Sequence, residues 1–274
     1  MRGGTRVLSR ILASSALLAA ASASAQTSVQ PDIASADVGR EFSTDRPDKT
    51  ESPYSVEAGR FQVEIDLLGY TREREAGERA TLINAGTFNL KYGVARNADL
   101  QLIAAPYLRL DRNGRRTEGV GDVTVRLKRN LWGNDGGPTA LAVMPYVTLP
   151  TATDGLGADR AEFGVIVPFA WAFSERVGLG AMTELDVVGR ERGGYQASFI
   201  NSATLSAAVT ERLGAYAELF TERATERGAR WVVTGDMGVT YALTDDVQLD
   251  AGANIGLSRA ADDLNIFLGL SRRF

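Results

Sequence analysis

Large apolar residues alternate with small or polar ones along most of the chain, from Arg60 to the last residue. The final segment begins at Asp263, and its apolar series is Leu264, Ile266, Leu268, Leu270 and Phe274. Successive side chains of a strand point to opposite faces, so strict alternation predicts β-strands. The pattern therefore predicts a protein built from strands that each have one apolar and one polar face.

The alternation divides into about twelve segments of about 10 to 13 residues, a length that suits tilted membrane-crossing strands. Their bounds are 61–70, 81–93, 99–110, 119–130, 139–149, 161–173, 177–188, 197–209, 213–222, 231–241, 247–257 and 263–274. Short and long connections mostly alternate, as expected of outer-membrane barrels with short periplasmic turns and longer outer loops. We therefore predict an all-β fold, a transmembrane antiparallel up-and-down β-barrel of about 12 strands with a short N-terminal periplasmic segment.

In most segments, we assign the apolar residues to the outer face of the barrel and the polar residues to its interior. In the second and third segments, this assignment puts Leu82, Leu108 and Leu110 outside, and Tyr107 and Arg109 inside. The alternative fold is a soluble sandwich or lectin-like sheet, whose strands usually have about 5 or 6 residues. The longer strands favour the membrane barrel, and the predicted inner face is too charged for a packed core.

The N-terminus has the features of an export signal. Arg2, Arg6 and Arg10 precede a short apolar run, and Ala23-Ser24-Ala25 fits the small-residue cleavage rule. We predict a signal peptide at 1–25, cleaved after Ala25, a periplasmic segment at 26–59 that forms a mouth or lumen plug, and the barrel at 60–274. The predicted location is the bacterial outer membrane.

Composition narrows the chemistry. The chain contains 0 Cys and 0 His, which excludes thiolate and His-ligated metal sites and His-dependent hydrolysis. We predict no enzyme activity, no catalytic residues, no metal and no cofactor. A site made only of carboxylates, Glu184 and Asp186, is the weaker alternative. Removing three Arg with the signal changes the net charge from -4 to -7, which argues against nucleic acid as a partner.

Charged residues recur on the predicted inner face. Unpaired buried charges are costly, so these side chains must be hydrated or paired. One interpretation is a water-filled lumen whose charges select solutes, and the other is a salt-bridged interior that conducts nothing. The lumen and selectivity candidates are Glu64, Asp66, Lys91, Arg109, Asp122, Arg126, Lys128, Glu184, Asp186, Glu218, Asp236 and Asp250.

Two consecutive motifs resemble a known family. They run from Phe42 to Pro53 and from Val56 to Glu64, and weaker matches follow at Gly119–Asp122, Leu149–Thr151, Tyr241–Asp245 and Arg273–Phe274. The chain resembles outer-membrane β-barrels described as phenol-degradation (MetA-pathway) transporters. The residues that carry the N-terminal motif are Thr44, Asp45, Arg46, Pro47, Asp48, Glu51, Ser52 and Pro53.

The resemblance implies a barrel channel for small solutes, including aromatic or organic-acid compounds. A non-transporting barrel with a structural or surface-binding role is the alternative. The implied partners are outer-membrane lipid, the barrel-assembly machinery, for which Phe274 is the predicted signal, and a small-molecule solute. Arg272 departs from the family pattern, and we expect its guanidinium at the membrane interface. Arg46 is expected to pair with a carboxylate such as Glu64, unless its segment only positions the first strand.

Overall fold

The computed structural model describes residues 40–75, 77–190 and 193–274. The predicted signal peptide and its cleavage after Ala25 lie outside the described residues. Within those ranges the chain forms fifteen β-strands. They are β1 (Phe61–Glu75), β2 (Glu78–Ala85), β3 (Thr87–Ala95), β4 (Ala98–Ala104), β5 (Tyr107–Arg112), β6 (Arg115–Gly119), β7 (Val123–Trp132), β8 (Thr139–Leu149), β9 (Glu162–Ala172), β10 (Val177–Gly189), β11 (Tyr195–Ala208), β12 (Leu213–Ala224), β13 (Val232–Thr244), β14 (Val247–Gly256) and β15 (Leu264–Arg273).

The sheet closes on itself. Around the ring the order is β1, β3, β4, then β7 to β15, and β15 pairs with β1. Every neighbouring pair is antiparallel. The predicted all-β barrel of twelve strands is confirmed. Closure satisfies the backbone hydrogen bonds of every strand in the ring, as a membrane interior requires.

Three of the predicted strands are each broken in two. β2 and β3 are separated at Gly86, whose φ of +70° favours glycine, and β4 and β5 are separated at Ala105 and Pro106. β6 and β7 are separated in the same way at residues 120–122. β2, β5 and β6 form a sheet extension beside the second half of β1.

The breaks reverse which face each side chain occupies. Leu82, Leu108 and Leu110 are buried and pack with Leu156 from the connection between β8 and β9. Their predicted outward position is wrong, because an irregular residue in a strand moves every later side chain to the other face. Arg109 consequently lies on the opposite face of β5 from Leu108, and its predicted lumen position is also wrong.

The outer surface of the ring is apolar. Large exposed side chains occur all round it, including Leu100, Leu205, Leu219 and Leu268. Such an extended apolar band indicates contact with lipid. In the described ranges no helix is long and apolar enough to cross a membrane.

Aromatic side chains gather at one end of the barrel. We call this the proximal end; it carries Phe274 and the start of β1, and the opposite end is the distal end. Two ring pairs lie there, Phe61 with Tyr92 at 4.5 Å and Trp171 with Phe173 at 4.8 Å between centroids. The exposed aromatics of this end are Phe61, Tyr92, Trp132, Trp171, Phe173, Tyr241 and Phe274, and the distal end carries others that include Tyr195 and Trp231. Such a girdle is typical of a membrane interface.

The terminal strand closes the ring at the proximal end. The Phe274 N–H donates to the Phe61 carbonyl at 2.8 Å, which ties the last residue to the first strand. Arg272 is exposed on the outer face, where its guanidinium lies 4.5 Å from the Phe274 ring centroid. A guanidinium there can reach interfacial water while its stem lies on the apolar surface.

Candidate functional site

The N-terminal segment enters the barrel interior from the proximal end and returns to β1. We call residues 44–53 the plug. Prolines and clustered Thr, Asp and Ser disfavour regular structure here, so side chains must satisfy the backbone. The Asp45 carboxylate accepts the Ser52 N–H at 3.0 Å, and the hydroxyls of Ser43 and Ser52 are 2.8 Å apart. These bonds close the plug into a compact loop.

One side of the interior is basic. We call Lys91 on β3 and Arg126 and Lys128 on β7 the basic wall. The Asp45 carboxylate forms an ion pair with each lysine, with Lys91 Nζ at 2.5 Å from one oxygen and Lys128 Nζ at 2.6 Å from the other. The side chains of Lys91 and Lys128 are 2% and 1% exposed. Arg126 pairs with Glu51 of the plug at 2.5 Å. Buried charges this close are stable only when paired, so the plug neutralises this wall.

The other side of the interior is acidic. Its five carboxylates, which we call the acidic wall, are Glu184 and Asp186 on β10, Glu218 on β12, Asp236 on β13 and Asp250 on β14.

The cations of the plug face this acidic side. Arg46 pairs with Asp250 at 2.7 Å and also with Asp66, and Lys49 lies 3.2 Å from Asp236. Four of the five charged residues of the plug, Asp45, Arg46, Lys49 and Glu51, thus pair with a side chain of opposite charge, and the fifth is Asp48.

The pairing of Arg46 differs from the prediction. Glu64 accepts the backbone N–H groups of Asp45 and Arg46, at 3.1 and 3.2 Å, and not the Arg46 guanidinium. Glu64 pairs with Lys91 on the neighbouring strand, which compensates its charge. The guanidinium lies instead between Asp66 and Asp250, where two carboxylates are available.

Ten of the twelve predicted lumen side chains face the interior, and two do not take that role. Arg109 is on the outer face of β5 and pairs with Asp111 at 2.8 Å. Asp122 accepts the backbone N–H groups of Thr151, Ala152 and Ala158, at 2.9, 2.9 and 2.7 Å. Its carboxylate therefore shapes the connection between β8 and β9 at the distal end.

Several interior residues were missed from the sequence. Tyr146 is fully buried, and its hydroxyl contacts both Glu184 and Asp186. Its strand is apolar on both faces, so alternation gave no signal for it. Asp99 accepts the Val56 N–H at 2.9 Å, where the chain leaves the plug. Its position at the start of a strand is the signal that could have identified it.

Two cavities meet at the plug. The inner cavity, about 310 Å³, opens towards the proximal end beside small residues of β10 to β12, such as Gly178, Ala207 and Gly214. The outer cavity, about 360 Å³, lies towards the distal ends of β10 to β13 and includes Phe220 in its lining. Asp48 lines both cavities. The plug therefore stands between them on the side of the acidic wall.

A second set of polar contacts fixes the segment at the proximal mouth. Arg40 pairs with Asp135 in the turn between β7 and β8 at 2.6 Å, and Arg96 reaches the same carboxylate at 3.1 Å. Arg273 donates to the Arg40 carbonyl at 2.7 Å. Slight burial acts to raise the pKa of Asp135, but Arg40 and Arg96 outweigh it and lower that pKa below its ordinary value. We call this group the mouth latch.

In the described part of the chain, no group of three or more acidic side chains is arranged to hold a metal ion. On the acidic wall, cations pair with Asp236 and Asp250, whereas Glu184, Asp186 and Glu218 accept hydrogen bonds from uncharged donors.

A protein-family model described as "Putative MetA-pathway of phenol degradation" matches residues 44–274. The match begins at the first residue of the plug and continues to Phe274. No curated protein matches the sequence.

Several solved structures are similar to the chain. The translocator domain of autotransporter NalP from Neisseria meningitidis has 11% identity and a TM-score of 0.48, covering 79% of this chain and 89% of that chain. An anion-selective porin from Comamonas acidovorans has 9% identity and a TM-score of 0.42, covering 79% and 99%. The KdgM porin has 9% identity and a TM-score of 0.43, covering 76% and 98%.

Proposed function

Because the chain belongs to the family described as Putative MetA-pathway of phenol degradation, we propose that it is an outer-membrane channel for small solutes, gated by its own plug. The observation that carries the proposal is the pair of cavities that meet at Asp48. A solute entering from the distal end reaches the plug through one cavity and leaves to the proximal end through the other. The proximal end, which carries the N-terminal segment, faces the periplasm.

The plug is suited to move because polar contacts hold it. Its bonds to the walls are ion pairs and hydrogen bonds, such as Thr50 to Ser202 at 2.6 Å and the Lys49 N–H to Glu218 at 2.9 Å. Water can replace such partners when a lumen fills, at a small net cost for each bond. The barrel strands keep their own hydrogen bonds throughout.

The outer cavity favours neutral or cationic solutes. Its lining includes carboxylates such as Glu184, which repel anions, and Met182, Ile200 and Phe220, which offer an apolar surface. This chemistry supports aromatic solutes among the two classes expected from the sequence and disfavours organic acids. We also infer that the barrel has no enzymatic role, and that its partners are lipid, the assembly machinery and the solute.

A reversible cross-link tests the gate. The chain has no cysteine, so Thr50→Cys with Ser202→Cys introduces one pair at side chains that now lie 2.6 Å apart. Oxidation should join the plug to β11 and stop solute flux in liposome-swelling assays with a panel of sugars, phenols, amines and organic acids. Reduction should restore the flux. The two single-cysteine variants are the matched controls and should not respond to oxidation.

Equal flux from the oxidised and reduced double variant would contradict gating by the plug. A deletion of residues 26–58 then decides whether the barrel conducts at all. We expect the deletion to raise single-channel conductance, because it removes the plug and its charges from the lumen.

The alternative function is a non-transporting barrel with a structural or surface-binding role. The dense ion pairing between the plug and the walls favours this alternative, because it could keep the lumen closed permanently. A folded deletion variant that stays silent in planar bilayers and shows no swelling for any solute would establish the alternative. Steady conductance from that variant would exclude it.

A further inference from the structure

The ammonium group of Lys49 sits in a site built from three side chains of the acidic side. Its Nζ lies 2.8 Å from the Thr234 hydroxyl, 3.2 Å from Asp236 Oδ2 and 4.3 Å from the centroid of the Phe220 ring. A hydroxyl, a carboxylate and an aromatic face together are the groups that bind an organic ammonium ion.

Asp236 is poised for a cation. It is 2% exposed, and the Thr234 hydroxyl donates to its Oδ2 at 3.0 Å. Its Oδ1 has no hydrogen-bond partner among the described residues. A buried carboxylate with one unpartnered oxygen retains capacity for a further donor. Lys49 alone does not use all of that capacity.

Lys49, whose ammonium occupies this site, is more accessible than the lysines of the basic wall. The Lys49 side chain is 30% exposed, whereas Lys91 and Lys128 of the basic wall are almost completely buried. Lys49 also lines the outer cavity. A solute in that cavity can therefore reach the ammonium site without passing the plug.

The surroundings select charge and shape. Among the described residues that line the outer cavity, Lys49 is the one cation, and the carboxylates include Asp48 and Glu184 as well as Glu51, which pairs with Arg126. Crowded carboxylates favour an added cation because they disfavour one another's charge. Met182, Ile200 and Phe220 form the apolar part of the lining. The cavity, about 360 Å³, has the size of a small-molecule site.

We propose that Phe220, Thr234 and Asp236 form a binding site for a small organic cation with an alkyl or aryl body, and that Lys49 is its built-in occupant. An incoming cation displaces the Lys49 ammonium. That this displacement releases the plug rests on the proposed channel function. Binding of the cation itself does not require the barrel to conduct.

Binding can be measured on the full-length protein in detergent. n-Butylammonium reproduces the end of a lysine side chain, so Lys49→Ala should bind it at least about tenfold more tightly than the parent protein in calorimetry. Adding Asp236→Asn to Lys49→Ala should remove that gain. Butyrate and 1-butanol, which have the same chain without the positive charge, should not bind measurably. Benzylammonium should bind at least as tightly as n-butylammonium because of Phe220.

A second measurement keeps Lys49 in place. In a Thr50→Cys variant, n-butylammonium should accelerate labelling of the thiol by displacing Lys49, and butyrate should not. Equal affinity of the parent and Lys49→Ala proteins, or a gain that survives Asp236→Asn, would overturn the site. A comparable gain for Ca²⁺ would overturn its assignment to organic cations. Binding of n-butylammonium without solute flux would contradict the channel function alone. Solute flux without n-butylammonium binding would contradict the binding site alone.

Discussion

The two walls of the lumen hold the same plug in different ways. At the basic wall, Asp45 lies between two lysines that are almost completely buried. At the acidic wall, Lys49 is partly exposed, and the two cavities meet beside it at Asp48. Removing one partner of a buried ion pair typically costs about 3–5 kcal/mol, and the cost falls as water reaches one of the charges. We therefore expect the basic wall to hold the plug more tightly than the acidic wall does.

Arg46 lies between these two cases. It is on the acidic side, but it pairs with Asp250, whose side chain is fully buried, and with Asp66. The contact weakens along the plug from Asp45 to Lys49. This gradient makes Arg46 the expected pivot, with Pro47 to Thr50 as the moving part.

The largest expected effect comes from Asp45→Asn. It removes the charge that neutralises Lys91 and Lys128 and should weaken plug docking by about 3–5 kcal/mol. In a Thr50→Cys background, the thiol should be labelled about a hundred times faster or more. Asp135→Asn in the same background is the control, because it removes an ion pair of the mouth latch, outside the plug. If both variants label alike, the basic wall is not the anchor.

Arg46→Gln should have an intermediate effect. It removes charged hydrogen bonds to Asp66 and Asp250, but the Arg46 and Asp66 side chains are 16% and 25% exposed, so water can compensate part of the loss. We expect faster Thr50→Cys labelling than in the parent background but slower than with Asp45→Asn. A larger effect than that of Asp45→Asn would reverse the comparison of the walls and make the acidic side the anchor.

The side-chain alternation predicted one half of the barrel better than the other. β9 to β15 run without a break, and their inward residues, from Glu184 to Asp250, were assigned correctly. β2 to β7 are interrupted, and the residues on the two sides of an interruption are out of phase. Leu82, Leu108 and Leu110 were therefore misassigned, whereas Lys91, Arg126 and Lys128 were assigned correctly. Gly86 and Pro106 were visible in the sequence as residues that break strands. Their effect on Leu108 and Arg109 depends on how many residues each break takes up, which alternation alone does not show.

The site was harder to predict than the fold. The plug motif and most lumen charges were identified, but their pairing was not. Arg46 and Asp250 are 204 positions apart in the sequence, and closure of the whole ring brings them together. The sequence shows the signs of the charges, whereas the order of strands around the ring decides which wall each plug residue meets.

Lys49→Met should weaken plug docking less than Asp45→Asn does and change selectivity more. Lys49 is 30% exposed, so water can compensate part of the lost pair with the buried Asp236. Losing the single cation of the outer-cavity lining should raise the preference of the channel for cations. Reversal potentials in a KCl gradient measure that preference, and Lys49→Arg is the charge-preserving control. An unchanged reversal potential would mean that ions do not pass Lys49.

The smallest expected effect lies at the mouth latch. The lowered pKa of Asp135 means that its contribution is fully present above the ordinary aspartate pKa of about 3.9 and is lost as the pH falls through the lower, folded-state value. A nitroxide on Glu41→Cys, an exposed position next to Arg40, should show equal mobility at pH 7 and pH 5 and higher mobility only below about pH 4. Asp135→Asn should abolish that step while leaving Thr50→Cys labelling at its parent rate. If the rise in nitroxide mobility at low pH persists in Asp135→Asn, the pH response comes from the lumen carboxylates. The mouth latch and the plug would then respond to pH as one unit.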